Sequence, residues 1–165
     1  MTGDVDRFEA FCRDQLGSLK RLLLNMAFSE TIAEEAAQDA LCQAYKYWDT
    51  IDDPAAWVRT TARRLAVRET KRVNTLFCLD PDIEPDRFDS WMLWPNIKAD
   101  HHPVLEAVRG LPDRQRYVMA YTIEGFEPRE IADELGMKPE TVRSHLRHAR
   151  ARLRRHLREG GMFDV

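Results

Sequence analysis

Apolar positions recur every three or four residues along most of the chain, and that spacing predicts helices. Phe8, Phe11, Leu16, Leu19, Leu23 and Met26 form a first stripe. Ile32, Ala36, Ala40, Leu41, Ala44, Tyr45 and Trp48 form a second, with Glu34, Glu35, Gln38 and Asp39 beside it. Thr31 followed by Glu34 has the form of a capping box and places the start of that helix there. A polar break, Asp49-Thr50-Ile51-Asp52-Asp53, separates it from a third helix. Asp53 suits the N-cap and Pro54 the first helical position, because proline's fixed φ and missing N–H cost nothing there. This helix is expected to run through Trp57, Val58, Thr61, Leu65 and Ala66 to about Val73.

The pattern then changes. Asp80-Pro81-Asp82, Glu84-Pro85-Asp86 and Trp94-Pro95-Asn96 punctuate residues 75–102, and no helical period runs through them. They read as an acidic linker, although Trp91, Met92, Leu93 and Trp94 are unusual in one; these pack back on a domain or dock in a partner's groove. Helices resume at Pro103 with Val104, Leu105, Val108 and Leu111. Pro112-Asp113 opens a helix with Tyr117, Val118, Tyr121 and Thr122 inward. Pro128 opens another reaching Leu135, and Pro139 opens the last, ending near Arg158. The expected fold is all-α: two small helical domains, residues 1–75 and 103–165, joined by the linker 76–102.

Net charge hides a segregation of signs. The chain holds 25 basic and 28 acidic residues in 165. Residues 59–72 nevertheless carry six basic residues (Arg59, Arg63, Arg64, Arg68, Lys71, Arg72) against Glu69 alone. Residues 138–158 carry eight (Lys138, Arg143, Arg147, Arg150, Arg152, Arg154, Arg155, Arg158) against Glu140. Each stripe alone reads as a solvated helix face or as a contact with a polyanion; two stripes flanking an acidic middle favour the second. Cys12, Cys42 and Cys78 are odd in number and far apart, without a CxxC or Cys/His cluster, which argues for a reducing cytoplasm and against zinc or a disulfide framework. No apolar run approaches a membrane span, no secretory leader is visible, and nothing calls for a cofactor.

Residues 128–147, PREIADELGMKPETVRSHLR, form a helix-turn-helix signature. Ala132 is small where two helices cross. Gly136 falls where the first helix must end in a left-handed residue, which glycine adopts without strain. Ile131, Leu135, Val142 and Leu146 supply the apolar contact. Thr141, Arg143, Ser144, Arg147 and His148 are left pointing outward, a face suited to the major groove. The competing reading is a helical hairpin with a basic coat.

Domain context separates the possible owners of such a motif. Gly110-Leu-Pro-Asp-Arg-Gln-Arg116, the motif and residues 147–154 together resemble domain four of the extracytoplasmic-function (ECF) sigma factors. Residues 34–39 with Ala44-Tyr45 resemble the polymerase-binding helix of their domain two. Trp48 through Arg59, with Thr61-Ala-Arg-Arg-Leu-Ala66, resembles their −10 segment. The resemblance spans about residues 5–73 and 103–158.

The resemblance implies a non-enzymatic, cytoplasmic initiation factor. It implies as partners core RNA polymerase (the β′ clamp helices and the β flap), promoter DNA and an anti-sigma protein. Polymerase contact falls on Glu35, Gln38 and Asp39, which otherwise read as a solvated face. The −10 element falls on Asp49, Thr50, Ile51, Asp52, Asp53, Trp57, Arg59, Arg63 and Arg64, with Trp57 reading equally as core; a flipped base needs a pocket and its flanking phosphates need cations. Contact with −35 DNA falls on Lys138, Thr141, Arg143, Ser144, Arg147, His148 and Arg150, with Lys138 and Arg150 placed for phosphates. Two departures stand out: Arg64 and Arg68, where many family members carry Asn and a nearby acidic residue, and His148 where a second arginine is usual.

A free-standing regulator dimerising through its N-terminal helices is the alternative. The basic stripe at 59–72 speaks against it, since a dimerisation domain has no need of one. An enzyme finds no support: the chain shows no nucleophile elbow, P-loop or metal-ligand spacing. His101-His102 reads as a solvated pair in the linker.

Overall fold

A computed structural model of the chain describes residues 2–77 and 107–159. Every regular element among them is helical, with no strand. Two compact units are present. The first contains α1 (Thr2–Asn25), α2 (Glu30–Lys46), a one-turn 3₁₀ helix (Trp48–Thr50) and α3 (Pro54–Phe77). The second contains α4 (Asp113–Ile123), α5 (Pro128–Leu135) and α6 (Pro139–Glu159), preceded by helical residues 107–109. The linker, with Trp91, Trp94 and the His101-His102 pair, lies outside the described residues.

In the first unit Leu19, Leu22 and Leu23 of α1 are buried. Leu16, expected on the same stripe, is 37% exposed. The core of α2 is mostly alanine: Ala33, Ala36, Ala37, Ala40 and Ala44 are buried with Leu41. Small side chains let a partner backbone approach closely, and α2 packs extensively on α3, whose Val58, Ala62, Leu65 and Ala66 are buried. Phe8 and Phe11 close the far end of α1 against Trp48, ring centroids 5.0 Å away in each case. Tyr45, expected inside, is 56% exposed: one side of its ring meets Phe8 at 4.9 Å and the rest faces solvent.

The helix boundaries follow their caps. The start of α2 is Ser29, not the expected Thr31: the Ser29 hydroxyl accepts from the Ile32 amide at 3.2 Å, and Thr31 lies exposed inside the first turn. Asp53 caps α3 as expected, its Oδ1 accepting from the Ala56 amide at 3.0 Å. That helix continues to Phe77, one turn beyond the expected end at Val73.

α1 ends with Ala27 at φ 68°, the left-handed conformation usually held by glycine. The Phe28 amide donates to the Leu23 carbonyl at 3.1 Å, which closes the turn.

In the second unit α4 carries five consecutive buried residues, Tyr117 to Tyr121. The Tyr121 hydroxyl lies 3.2 Å from Glu134 Oε2 and its ring meets Phe126 edge-on at 5.2 Å, tying α4 to α5 and to the loop between them. Arg116 fastens the start of α4 to the preceding turn: Nη1 donates to the carbonyls of Arg109 at 3.2 Å and Leu111 at 3.1 Å, while Nη2 pairs with Asp113. Charge-assisted bonds of this kind are stronger than neutral ones.

Candidate nucleic-acid and polymerase interfaces

The helix-turn-helix is built by local chemistry at each junction. Glu127 and Glu130 form a reciprocal capping box at the start of α5, the Glu127 amide donating to Glu130 Oε2 at 2.7 Å, with Pro128 next. Gly136 ends α5 at φ 62°, ψ 43°, and the Met137 amide donates back to the Ala132 carbonyl at 2.9 Å. Lys138 then opens α6, its carbonyl accepting from the Val142 amide at 3.1 Å. Ile131, Ala132, Leu135, Val142, Leu146 and Ala149 are all buried, so the α5–α6 contact is the apolar one the spacing predicts.

Burying that face exposes the other. Lys138, Thr141, Arg143, Arg147, His148 and Arg150 are exposed and Ser144 is half-buried. Arg143 lies 3.8 Å from Glu140, an exposed pair one turn apart whose net contribution is small, so the guanidinium remains available. Arg154 and Arg155 are exposed further along the same helix.

In the first unit the loop residues Asp49, Thr50, Asp52 and Asp53 are exposed and Ile51 is half-buried. Two of these already have internal roles: Asp53 caps α3, and the Thr50 hydroxyl donates to the Tyr47 carbonyl at 2.9 Å. Trp57 is half-buried, neither full core nor free surface, with its ring 6.4 Å from that of Tyr47. Arg59 and Arg63 are half-buried; Arg64, Arg68, Lys71 and Arg72 are exposed. Arg72 is bound to Glu69, and this bond holds the Glu69 carboxyl below its usual range. Arg64 and Arg68 make no hydrogen bond or ion pair among the described residues.

On α2 the exposed acidic face divides. Lys20 of α1 donates to Glu34 at 2.9 Å and to Glu30 at 3.3 Å, and these bonds raise the Lys20 pKa above its usual value. The Gln38 amide lies 3.4 Å from the other Glu34 oxygen. Glu34 is thereby engaged within the unit. Glu35 and Asp39 are exposed one turn apart, leaving their carboxylates presented together.

Sequence reasoning passed over Tyr47, which is 55% exposed at the mouth of the loop, and gave Arg116 no structural role, because its carbonyl contacts leave no periodic signature. The signal for Tyr47 was present in the Tyr45-Lys46-Tyr47-Trp48 run at the end of α2, where three aromatics cannot all face one core. Among the described residues no cluster of His, Cys, Asp or Glu is placed to hold a metal ion, and no helix is long and apolar enough to cross a membrane.

Two helical units, one ending in a helix-turn-helix and the other bearing a capped loop above a basic helix, match two modules of one family in order. The family model described as sigma-70 region 2 matches residues 13–75, and that for sigma-70 region 4 matches residues 101–153. The chain belongs to the sigma-70 family, within its extracytoplasmic-function class. It is 28% identical over 149 residues to the ECF RNA polymerase sigma factor RpoE of Cereibacter sphaeroides, covering 84% of this chain and 80% of that one. It is 27% identical over 152 residues to the ECF sigma factor SigL of Mycobacterium tuberculosis, covering 87% and 85%. The RNA polymerase sigma-E factor of Streptomyces coelicolor is 26% identical over 164 residues, covering 94% and 88%. Among solved structures, the sigma factor RpoE co-crystallised with the anti-sigma factor NepR from Bartonella quintana shares the fold, with a TM-score of 0.71 at 21% identity over 96% of this chain and 99% of that one. As a sigma factor of this class, the chain directs promoter-specific transcription. Sigma factors are non-enzymatic initiation factors.

Proposed function

We propose that residues 1–75 act as sigma domain two, residues 76–102 as the connecting linker, and residues 103–165 as sigma domain four. Domain two binds the β′ clamp helices of core RNA polymerase through Glu35, Gln38 and Asp39. It engages the −10 element through the loop Asp49–Asp53 and through Trp57, Arg59, Arg63 and Arg64. Domain four rests on the β flap and enters the −35 major groove with Thr141, Arg143, Ser144, Arg147 and His148, while Lys138 and Arg150 hold phosphates. The chain has no catalytic step of its own, works in the cytoplasm with the polymerase, and is held inactive by an anti-sigma protein. The relative co-crystallised with NepR supports that last assignment.

One observation carries the reading. The apolar seam of α5 and α6 leaves a continuous outward row of Arg, Ser, Thr and His at the start of α6, and the other unit carries its own exposed cations on α3. Two separate cationic surfaces suit two promoter elements contacted together. The alternative, a free dimeric regulator, gives the α3 surface nothing to do.

The test is gel filtration of the purified chain with core polymerase, followed by run-off transcription. Co-elution with core and promoter-dependent transcripts are expected. The free chain should bind duplex weakly and lose affinity steeply with salt. Tight binding of the free chain to a palindrome, without polymerase, overturns the assignment.

A further inference from the structure

Cys12 of α1 and Cys42 of α2 stand at one level of the antiparallel pair that these helices form. Two contacts fix the register. Phe8 of α1 meets Tyr45 of α2 at a ring-centroid distance of 4.9 Å, and Lys20 of α1 donates to Glu34 of α2 at 2.9 Å. Cys12 lies four residues after Phe8 and eight before Lys20, and Cys42 lies three before Tyr45 and eight after Glu34. Steps of three or four residues return to the same side of a helix, and eight is two such steps, so each cysteine borders the α1–α2 contact. Both thiols are free, with Cys12 half-buried and Cys42 exposed. They sense one another: burial pushes the Cys12 thiol up, and Cys42 raises it further. At this level α1 meets α2 through the long side chains of Phe8, Tyr45, Lys20 and Glu34, so α1 can close on α2 without disturbing the seam between α2 and α3.

Cys42 also belongs to a second surface. It follows Glu35, Gln38 and Asp39 at i+7, i+4 and i+3, and all four are exposed, so Cys42 extends their face by one turn. A partner docked on those residues covers the thiol. In a reducing compartment such thiols are free at rest, and a disulfide between them is transient rather than structural.

We propose that Cys12 and Cys42 are an oxidation site of the unbound chain, closed by hydroperoxides into an α1–α2 disulfide, and that docked core polymerase shields the site. This rests on the assignment of Glu35, Gln38 and Asp39 to core polymerase. The chemistry balances with one hydrogen peroxide. Cys42, the more exposed, attacks as its thiolate: an S–O bond forms, the O–O bond breaks, and the leaving hydroxide takes up the thiol proton as water. Cys12 then attacks the Cys42 sulfenic acid. The S–S bond forms, the S–O bond breaks, and hydroxide leaves with the Cys12 proton as a second water. Two electrons pass from the sulfurs to the peroxide.

The experiment treats the free chain and the purified holoenzyme with hydrogen peroxide and maps disulfide-linked peptides by mass over time. In the free chain a Cys12–Cys42 link within one monomer is expected, and dithiothreitol should remove it. Cys12→Ser should abolish the link and leave Cys42 as a sulfenic acid that dimedone traps; Cys12→Ala repeats the test if the serine variant folds poorly. A link to Cys78, a dimer on a non-reducing gel, or no link at all overturns the proposal. In holoenzyme the link should form roughly tenfold more slowly, because thiol reactivity follows exposure. Glu35→Lys with Asp39→Lys separates the two levels of the argument. If that variant loses core affinity while the link forms as fast in parent holoenzyme as in the free chain, the shielding is overturned and the polymerase assignment stands. If the variant assembles normally, the polymerase assignment falls and the shielding with it.

Discussion

Ala27 and Gly136 occupy the same backbone conformation, φ 68° and φ 62°, Ala27 two residues past the end of α1 and Gly136 one past the end of α5. In both cases the next amide reaches back to a carbonyl five residues earlier, Phe28 to Leu23 and Met137 to Ala132. Only one of the two has the residue that suits it. For an L-residue with a Cβ, this conformation costs roughly 1–2 kcal/mol. Gly136→Ala is expected to destabilise the second unit by about 1 kcal/mol through the backbone alone, since an added Cβ meets nothing within 4 Å. Ala27→Gly should go the other way. Strain relief exceeds the loss of one buried methyl, for a net gain of about 0.5 kcal/mol. Thermal unfolding of both variants checks the pair, and opposite signs are the expected result.

The exposed carboxylates of α2 give a second expectation. Glu35→Lys with Asp39→Lys should weaken assembly with core polymerase by tenfold or more, in line with the roughly 1–3 kcal/mol typical of charge-assisted contacts. The circular dichroism spectrum should stay unchanged, because neither side chain is buried. Glu34→Gln should instead act mainly on the first unit's own stability, by releasing Lys20. Fluorescence anisotropy of labelled protein against core polymerase measures the first effect. Unchanged affinity in the double variant returns these acids to an ordinary solvated surface.

Base readers and phosphate clamps on α6 are separable by sequence dependence. Arg143 lies in the second turn, where a recognition helix reaches base edges, and a bidentate guanine contact discriminates by roughly 1–3 kcal/mol. Arg143→Ala should relax preference at one or two −35 positions. Lys138→Ala should weaken every template about equally and reduce the salt slope by about one unit. Arg154→Ala and Arg155→Ala should change little. Run-off transcription from a panel of single-base −35 variants reads all four. A uniform loss in Arg143→Ala makes that arginine a phosphate contact.

The two described thiols differ in exposure. Burial pushes the Cys12 pKa up, and the neighbouring Cys42 adds to the shift. Cys12 is half-buried and Cys42 exposed. Because the thiolate is the nucleophile, Cys42 should be alkylated first by iodoacetamide near neutral pH. The lag of Cys12 should shrink as pH rises through its elevated pKa. Peptide mass mapping over a pH series measures both rates, and equal labelling of the two at neutral pH contradicts the burial argument.

Much of the fold was legible because proline and glycine restrict the backbone before any packing is considered. Asp53-Pro54, Pro128, Gly136 and Pro139 lie at the junctions expected of them. Packing faces were read less well where alanine was involved. Ala33 and Ala37 are fully buried yet were not picked out, since a methyl group adds little to an apolar stripe and its burial depends on how closely α3 approaches. The Ser29 cap was missed because Thr31 and Glu34 fit the same local pattern, and only the geometry of the chain arriving from α1 decides between them. At the outward faces the reverse holds. Arg143, Arg147 and His148 were found by elimination from the buried positions of α6, whereas Tyr47 depends on a tertiary neighbour, Trp57, ten residues away.

The alanine seam between α2 and α3 has a mechanical consequence. A buried alanine has no rotamer to freeze, so this interface forms without the side-chain entropy loss that a leucine-filled one incurs. It also has no rotamer to hop, so repacking is confined to the few larger side chains among the alanines, Leu41, Val58 and Leu65. The acids on the outer face of α2 and the capped loop at its end are therefore carried on one stiff plate.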